Sequence, residues 1–278
     1  MFSKVLLTVD YDRTLTDPHS VIPQRNLEAI DYFIQNGGSF TVNTGRGPAT
    51  FWKYLDTLPV NCPYLLYNGS VAYENGRLIN HKPIDADPWQ VLEVIHGLFP
   101  DLNLEIQGEK VHYLIDPNPA FISLYEKMQW RWQKARWGQD VGIFMKFALW
   151  GPVHRPAMGD MFEGSKEEMD RIDEAEKTIK ALFGDKMEVF RAAPRIIDVH
   201  AKGVSKGNAA RQLLGQLGKE ILVCVGDAEN DITMLEAADY AFCPADGVIA
   251  ARYPNVCPCA DGAVADVIYQ KIPEILGL

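Results

Sequence analysis

Residues 5–15 read VLLTVDYDRTL, an apolar run that ends abruptly in two acids, Asp10 and Asp12. The run does not alternate strictly between apolar and polar residues, which is typical of a strand buried on both faces of a parallel sheet. Open α/β sheets bind ligands just beyond the carboxyl ends of their strands. We therefore expect Asp10 to leave the strand at a site of chemistry, with Asp12 one pleat further on and pointing the same way. A polar turn after a core strand accounts for the same residues, because aspartate is common in turns.

The segments that follow this strand alternate between helix and strand patterns. A helix is predicted from Pro23 to just before Asn36, and a second helix over residues 48–58. Strands are predicted over residues 40–43 and 64–67. This order of elements is the signature of a doubly wound parallel α/β sheet.

The pattern changes over residues 83–194, where helices mix with hairpin-like strands. Such a mixture indicates an α+β domain inserted into the first one. We place the core domain at residues 1–82 and 195–278, with a strand over residues 196–199 resuming the parallel sheet. The inserted domain then covers residues 83–194.

Three tryptophans, Trp130, Trp132 and Trp137, cluster in the inserted segment. A helix is predicted over residues 120–136, and we expect its face to pack the rings on the sheet of the inserted domain. A stacking surface for a base or a sugar is the alternative.

The net charge of −10 argues against nucleic acid or an anionic membrane as a partner, since such binders normally carry a basic surface. No apolar segment approaches the roughly 20 residues of a membrane span. The first residues do not resemble a signal peptide. The five cysteines have no paired zinc spacing, so we expect a reduced, cytoplasmic protein.

Polar side chains stand where several predicted strands end or helices begin: Asp10, Asp12, Thr44, Lys206, Asp227, Asn230 and Asp231. If the strands share one parallel sheet, these groups meet at one edge and crowd negative charge together. A divalent cation resolves that repulsion, and oxygen ligands favour Mg²⁺ or Ca²⁺ over zinc. A lysine in the first turn of a helix opposes the helix dipole, which suits a lysine that faces an anion.

These motifs resemble the four signatures of the haloacid dehalogenase superfamily. They are DYDRTL at residues 10–15, TGR at 44–46, GVSKG at 203–207 and GDAEND at 226–231, in the family's order. The inserted segment resembles the large α+β cap, of the C2 type, in the Cof-type or subfamily IIB sugar-phosphatase-like branch. The resemblance implies a Rossmann-like parallel core with an inserted cap that closes over the site and chooses the leaving group.

The resemblance also implies a Mg²⁺-dependent phosphatase of small phosphorylated metabolites, with sugar phosphates or related compounds as substrates. Asp10 would be the nucleophile that forms an aspartyl-phosphate, and Asp12 the general acid and then the general base. Mg²⁺ would be held by the Asp10 carboxylate, the Asp12 main-chain carbonyl and Asp227. Asp231 or Asn230 would add to this set directly or through water.

Thr44 and Lys206 would hold the transferring phosphoryl oxygens. Backbone N–H groups beside Gly45 could add to them. Further candidates for contact with phosphate or substrate are Arg46, Asn68, Asn230 and the loop at residues 160–166.

Arg13 departs from the family pattern, in which glycine usually follows the second aspartate. A tolerated turn and a contact to substrate both account for it. Two other functions stay open beside the phosphatase. A phosphomutase would pass the aspartyl-phosphate to a second substrate hydroxyl, and a non-catalytic member of the fold would only bind a ligand.

Overall fold

The computed structural model describes residues 1–155 and 163–278. The strands are β1 (Val5–Val9), β2 (Ser39–Val42), β3 (Tyr64–Leu66), β4 (Val71–Glu74), β5 (Arg77–His81), β6 (Asn103–Gln107), β7 (His112–Ile115), β8 (Trp132–Lys134), β9 (Lys146–Trp150), β10 (Met187–Ala193), β11 (Ile196–Ala201), β12 (Ile221–Val225), β13 (Tyr240–Pro244) and β14 (Asn255–Val256). The helices are α1 (Gln24–Gln35), α2 (Pro48–Phe51), α3 (Pro88–Leu98), α4 (Pro119–Met128), α5 (Lys166–Phe183), α6 (Lys206–Gln216), α7 (Ile232–Ala237), α8 (Ala263–Asp266) and α9 (Ile272–Leu276). Within these ranges, no helix is both long enough and apolar enough to cross a bilayer.

The chain forms two compact units. The first unit consists of Met1–Gly45, Thr57–Asn80 and Ser205–Leu278, and the second of Arg46–Asp56 and His81–Val204.

The first unit is built on a five-stranded sheet in the order β14-β13-β12-β1-β2, in which every pair of neighbours is parallel. All five residues of β1 are buried, as expected for a strand covered on both faces. Helices α6 and α7 pack on the side that carries Leu6 and Cys224. Strand β3 meets the end of β2 through a single parallel bridge from Asn43 to Leu65. Its ladder is antiparallel to β4, so it begins a separate three-stranded sheet.

The second unit has a six-stranded sheet in the order β10-β11-β9-β6-β7-β8. Neighbouring strands in this sheet are antiparallel, except that β7 and β8 are parallel to each other. Helices α3 and α5 cover one face, against alternate residues such as Ile106, Phe147 and Val199. Helix α4 packs on the opposite face, against Leu114 and Trp150. A parallel core with an inserted α+β segment confirms the predicted fold class.

The strand predicted over residues 196–199 does not resume the parallel sheet. It is β11, which pairs with β9 and β10 in the second unit, and the first unit resumes only at Ser205. Its initial Ile196-Ile197 looks like the start of a buried parallel strand. The alternation of Ile197 and Val199 with Asp198 and His200 is the period-2 pattern of an antiparallel strand with two different faces.

The helix predicted over residues 120–136 is also wrong in its second half. Helix α4 ends at Met128 because Gln129 adopts a left-handed backbone conformation, with φ +56°. Trp130 then packs edge-on to Tyr125, 5.1 Å between ring centroids, and Trp132 lies in β8. The tryptophans therefore do not share a helix face. The helix predicted over residues 48–58 is likewise short, since α2 ends at Phe51.

Candidate active site

Three parallel strands end together at one edge of the first unit's sheet. Val9 stands opposite Val225 of β12 and opposite Val42 of β2. The residues that follow β1 and β2 continue these pairings. The N–H of Asp10 donates to Val225 O at 2.9 Å, and the N–H of Asn43 donates to Val9 O at 2.8 Å. Side chains that follow these strands are therefore brought to one place.

Three buried carboxyl groups and one buried ammonium occupy this edge. Asp10, Asp227 and Asp231 each offer a carboxylate oxygen, and these oxygens lie within 4.8 Å of one another. The ammonium of Lys206, the first residue of α6, donates to Asp10 Oδ1 and to Asp231 Oδ1, both at 2.6 Å. The lysine is only 1% exposed. One cation therefore faces three acids.

Asp231 is held by a complete set of hydrogen bonds. Its Oδ2 accepts from the N–H groups of Asp227 and Ala228 at 3.0 and 3.1 Å, while its Oδ1 accepts from Lys206. The turn is tight: a Cβ at Gly226 would lie 2.5 Å from the Cβ of Asp231, so only glycine fits there. Asp231 thus ties the lysine to the loop that follows β12.

Thr14 is a site residue that the sequence motifs did not single out. It is completely buried, and its hydroxyl donates to Asp227 Oδ1 at 2.8 Å. The available signal was a hydroxyl four residues after Asp10, inside the motif at residues 10–15. Its hydrogen bond orients the carboxylate of Asp227.

Burial and mutual repulsion raise the pKa of two of the acids. The pKa of Asp10 is well above its ordinary value because of burial, with Lys206 opposing the shift and the nearby carboxylates adding to it. Burial and the charge of Asp231 raise the pKa of Asp227 to about 7. Burial disfavours the charge of Lys206, but Asp10 and Asp231 outweigh it, so its pKa is raised. Burial is thus the main cause of both raised pKa values, and a divalent cation at this cluster would favour the charged carboxylates.

The chain coils directly after β1, so Asp12 does not lie one pleat beyond Asp10 as predicted. The N–H of Leu15 donates to Asp10 O at 3.2 Å, and Asp12 is half-buried within this turn. Arg13 has a left-handed backbone conformation, φ +59°, and its side chain is exposed. Glycine adopts this conformation without a Cβ penalty, so Arg13 stands where the backbone would favour glycine.

Thr44, Gly45 and Asn68 come together where β2 and β3 end. Thr44 is 1% exposed; its N–H donates to Leu65 O at 2.9 Å, and its carbonyl accepts from the N–H of Asn68 at 3.0 Å. A Cβ at Gly45 would lie 3.1 Å from Asn68 Oδ1. The segment at residues 44–45 and the side chain of Asn68 are therefore neighbours.

The turn that contains Asn68 packs against the start of α6. Gly69 has φ +91°, and a Cβ there would lie 2.7 Å from the carbonyl oxygen of Ser205. Ser205 caps α6 by accepting from the N–H of Asn208 at 3.1 Å. The same helix start accepts a hydrogen bond from Asn43, whose Nδ2 donates to Lys206 O at 2.9 Å.

The remaining predicted site residues lie on three further segments of the chain. Asn230 is half-buried in the short turn Glu229–Asp231, next to Asp231. Arg46 belongs to the second compact unit. Of the loop at residues 160–166, residues 160–162 lie outside the part of the chain that the structure describes.

Comparison with known proteins supports the superfamily that the sequence motifs resemble. The model of the haloacid dehalogenase-like hydrolase family matches residues 7–252. The chain belongs to this family. A curated relative, the 5-amino-6-(5-phospho-D-ribitylamino)uracil phosphatase YwtE of Bacillus subtilis, is 25% identical over 84% of this hydrolase and 85% of its own chain.

Solved structures with the same fold cover nearly the whole hydrolase. The subclass IIB sugar phosphatase BT4131 superposes with a TM-score of 0.76 at 18% identity, over 98% of both chains. A haloacid dehalogenase-like hydrolase of Bacillus subtilis superposes with a TM-score of 0.78 at 19% identity, over 95% of this chain and 99% of its own. The family match and the phosphatase relatives confirm the predicted superfamily and the predicted enzyme class, a phosphoric monoester hydrolase.

Proposed function

We propose that this hydrolase is a Mg²⁺-dependent phosphatase that cleaves small phosphomonoesters through an aspartyl-phosphate on Asp10. One observation carries the proposal: Asp10 lies in a buried cluster of acids and is bonded at 2.6 Å to Lys206, a buried lysine from a distant helix. A carboxylate that is held this way is an aimed nucleophile rather than a turn residue.

The donor set fits Mg²⁺. The acids provide only oxygen ligands, which a hard cation prefers, and burial together with mutual repulsion disfavours their charged forms, which a cation would stabilise. Asp10 and Asp227 would hold the ion, together with the main-chain carbonyl of Asp12. Both oxygens of Asp231 already accept hydrogen bonds, so we assign it to holding Lys206 and the loop after β12. When bound, Mg²⁺ would offset the negative charge and polarise the phosphoryl group.

The chemistry of the chain's own residues follows from their contacts. A carboxylate oxygen of Asp10 attacks phosphorus and forms an acyl phosphate, while the ammonium of Lys206 donates to the same side chain. The bond from phosphorus to the ester oxygen breaks, and Asp12 gives its proton to the departing alkoxide. Asp12 then takes a proton from water, whose oxygen attacks the same phosphorus. This second step releases inorganic phosphate and restores the carboxylate of Asp10.

The phosphoryl oxygens are bound by groups on β2 and α6. The hydroxyl of Thr44, backbone N–H groups beside Gly45 and the ammonium of Lys206 are assigned to this task, because a transferring phosphoryl group is stabilised mainly by positioned charge and hydrogen bonds. Asn68, Asn230 and Arg46 are further candidates for contact with phosphate or substrate.

The substrate class is a small phosphorylated metabolite, with sugar phosphates or related polyol phosphates first. The names of the relatives support this choice, since one acts on a phosphoribityl compound and another is a sugar phosphatase. We assign the role of cap, and with it the choice of leaving group, to the inserted segment at residues 83–194. A cytoplasmic location accords with the five cysteines, which are all free thiols.

The test is a screen of phosphorylated sugars, polyols and nucleotides, with release of inorganic phosphate measured in Mg²⁺, in Ca²⁺ and in a chelator. We expect release in Mg²⁺ alone. Borohydride added during turnover should convert an acyl phosphate at Asp10 to homoserine, which peptide mass spectrometry detects, and the Asp10→Asn variant is the control. An isomerised product without free phosphate would indicate a phosphomutase. No release from any compound by folded, Mg²⁺-bound protein would contradict the proposal.

A further inference from the structure

Asn43 is a completely buried residue between the end of β2 and Thr44. Its main-chain N–H donates to Val9 O at 2.8 Å, and its side-chain Nδ2 donates to the main-chain carbonyl of Lys206 at 2.9 Å. One residue therefore bonds both to the strand that leads into the nucleophile and to the helix that carries the lysine. The chain positions involved are far apart in sequence.

The two bonds of Asn43 close a ring around the central ion pair. Val9 is joined covalently to Asp10, and Asp10 accepts a hydrogen bond from the ammonium of Lys206 at 2.6 Å. The carbonyl of Lys206 accepts in turn from Asn43. A lysine side chain has many rotatable bonds, so its ammonium is placed only as well as its main chain is held. Asn43 holds that main chain relative to the strand of the nucleophile.

The amide of Asn43 also carries a cost in stability. Its Oδ1 is buried and has no hydrogen-bond partner within residues 1–155 and 163–278. A buried acceptor without a partner disfavours the folded state, and an apolar side chain of similar size would avoid that penalty. A buried amide that bonds to the main chain of the lysine assigned to the transferring group is explained by positioning rather than by packing.

We propose that Asn43 is a positioning residue for phosphoryl transfer, whose amide fixes the start of α6 so that the ammonium of Lys206 meets Asp10. The inference rests on the proposed function, because it concerns the lysine assigned to the transferring group. A misplacement on the order of 1 Å in an active site can cost about 100-fold in rate. The effect should fall on kcat, since the nucleophile and the lysine must be aligned in the transition state.

The experiment uses the whole chain, Mg²⁺ and p-nitrophenyl phosphate, with the variants Asn43→Leu and Asn43→Asp. The matched control is Thr41→Val, in the strand β2 that precedes Asn43: Thr41 is also completely buried, and its hydroxyl donates to Pro63 O at 2.7 Å. We expect both Asn43 variants to lower kcat about 10-fold to 100-fold and to change KM less than about threefold. Thr41→Val should keep kcat within about twofold, and the urea midpoint of Asn43→Leu should be no lower than that of the control.

Two further measurements separate positioning from a general loss of structure. In a Lys206→Arg background, Asn43→Leu should change kcat less than about twofold, because it acts through the lysine. A crystal structure of Asn43→Leu should show the distance from Lys206 Nζ to Asp10 Oδ1 lengthened beyond hydrogen bonding. The inference is wrong if Asn43→Leu matches Thr41→Val in kcat, or lowers kcat equally in both backgrounds. If the wild type hydrolyses no phosphomonoester, the proposed function fails, while the distance in the crystal still decides whether Asn43 positions the lysine.

Discussion

The two compact units bury charged groups in different ways. In the first unit, Asp10, Asp227 and Asp231 gather at strand ends around the single ammonium of Lys206. In the second unit, each buried acid on the six-stranded sheet has a basic partner. Lys146 meets Asp198 at 2.6 Å, and His112 lies 3.4 Å from Glu105, which also accepts hydrogen bonds from Gln107 and Trp150.

The difference teaches which buried charges belong to function. Taking a charge out of water is costly unless a partner offsets it, so a compensated pair can be a stable part of a core. An excess of like charge destabilises the folded state, and no group of the fold offsets this repulsion. Such an excess marks a place where a ligand supplies the missing charge. The contrast can be tested by changing charges in each unit separately.

The largest expected effect follows from Asp10→Asn. Removal of the nucleophile should lower kcat by about 10⁴-fold or more, measured as phosphate release in Mg²⁺. The same change removes one of the crowded negative charges, so the melting temperature of the metal-free protein should not fall. Near-normal hydrolysis by this variant would overturn the assignment of Asp10. If Asp10→Asn strongly destabilised the metal-free protein, the negative charges of the first unit would not be in excess, and the contrast with the second unit would fail.

The second prediction concerns the compensated pair of the second unit. Lys146→Met removes the ammonium that pairs with the buried Asp198 and should lower the free energy of unfolding by about 3–5 kcal/mol. The double variant Lys146→Met/Asp198→Leu should recover most of that loss. All six tryptophans lie in the residues of the second unit, so urea unfolding followed by tryptophan fluorescence reports on this unit.

The control for this pair is an exposed one on α5. Lys166→Met breaks the pairing of Lys166 with Asp170, both largely exposed, and should change the free energy of unfolding by about 0.5 kcal/mol or less. If Lys146→Met lowered the free energy of unfolding by no more than Lys166→Met does, the buried pair would contribute no more than a surface contact.

Acid should weaken the second unit. Burial, together with the charge of Lys146, holds the pKa of His200 well below its ordinary value. In the unfolded chain, His200 binds a proton near pH 6.5, whereas in the folded unit it stays neutral at that pH. The free energy of unfolding therefore falls as the pH drops through that value. Between pH 7.5 and 5.5 we expect a loss of about 1 kcal/mol by tryptophan fluorescence. His200→Phe should remove this loss, and an unchanged pH profile in that variant would contradict the assignment.

The metal-free first unit should respond in the opposite sense. Because the pKa values of Asp10 and Asp227 are raised, the folded unit keeps protons that the unfolded chain loses above about pH 4. Stability is then greatest in acid and falls as the pH rises towards about 7. Hydrogen exchange in β1 peptides, corrected for the intrinsic rate, should show faster opening at pH 7 than at pH 5. Saturating Mg²⁺ should reverse this trend by offsetting the carboxylate charge.

The last prediction concerns Arg13, beside the acidic cluster. Arg13→Gly relieves a left-handed backbone and should raise the free energy of unfolding by about 1 kcal/mol or less. Arg13→Ala keeps the Cβ and should not raise the free energy of unfolding. The difference between the two variants therefore measures the cost of the left-handed backbone conformation. Turnover unchanged in both would favour the turn explanation of Arg13, whereas a raised KM would indicate a substrate contact.

Local patterns in the chain were sufficient for much of the fold and for the acids of the site. An apolar run followed by acids predicted β1 and the acids that follow it. The same pattern predicted β12 and the acids of the loop after it. The pattern failed at residues 196–199, because a buried parallel strand and a half-polar antiparallel strand begin with the same Ile196-Ile197. It failed again after Met128, since helical spacing continues past a residue whose backbone turns left-handed.

The amino-acid sequence alone indicated which residue types could do the chemistry, because motif order and strand ends are local properties. Only the tertiary structure decided how Asp10 and Lys206, 196 positions apart, come within 2.6 Å. The raised pKa of Asp227 depends on the burial and charges of the folded site, as does the bond from Thr14. The role that we propose for Asn43 is of the same kind. Its amide meets the carbonyl of Lys206, and a contact between main chain and side chain across a fold leaves no spacing in the sequence.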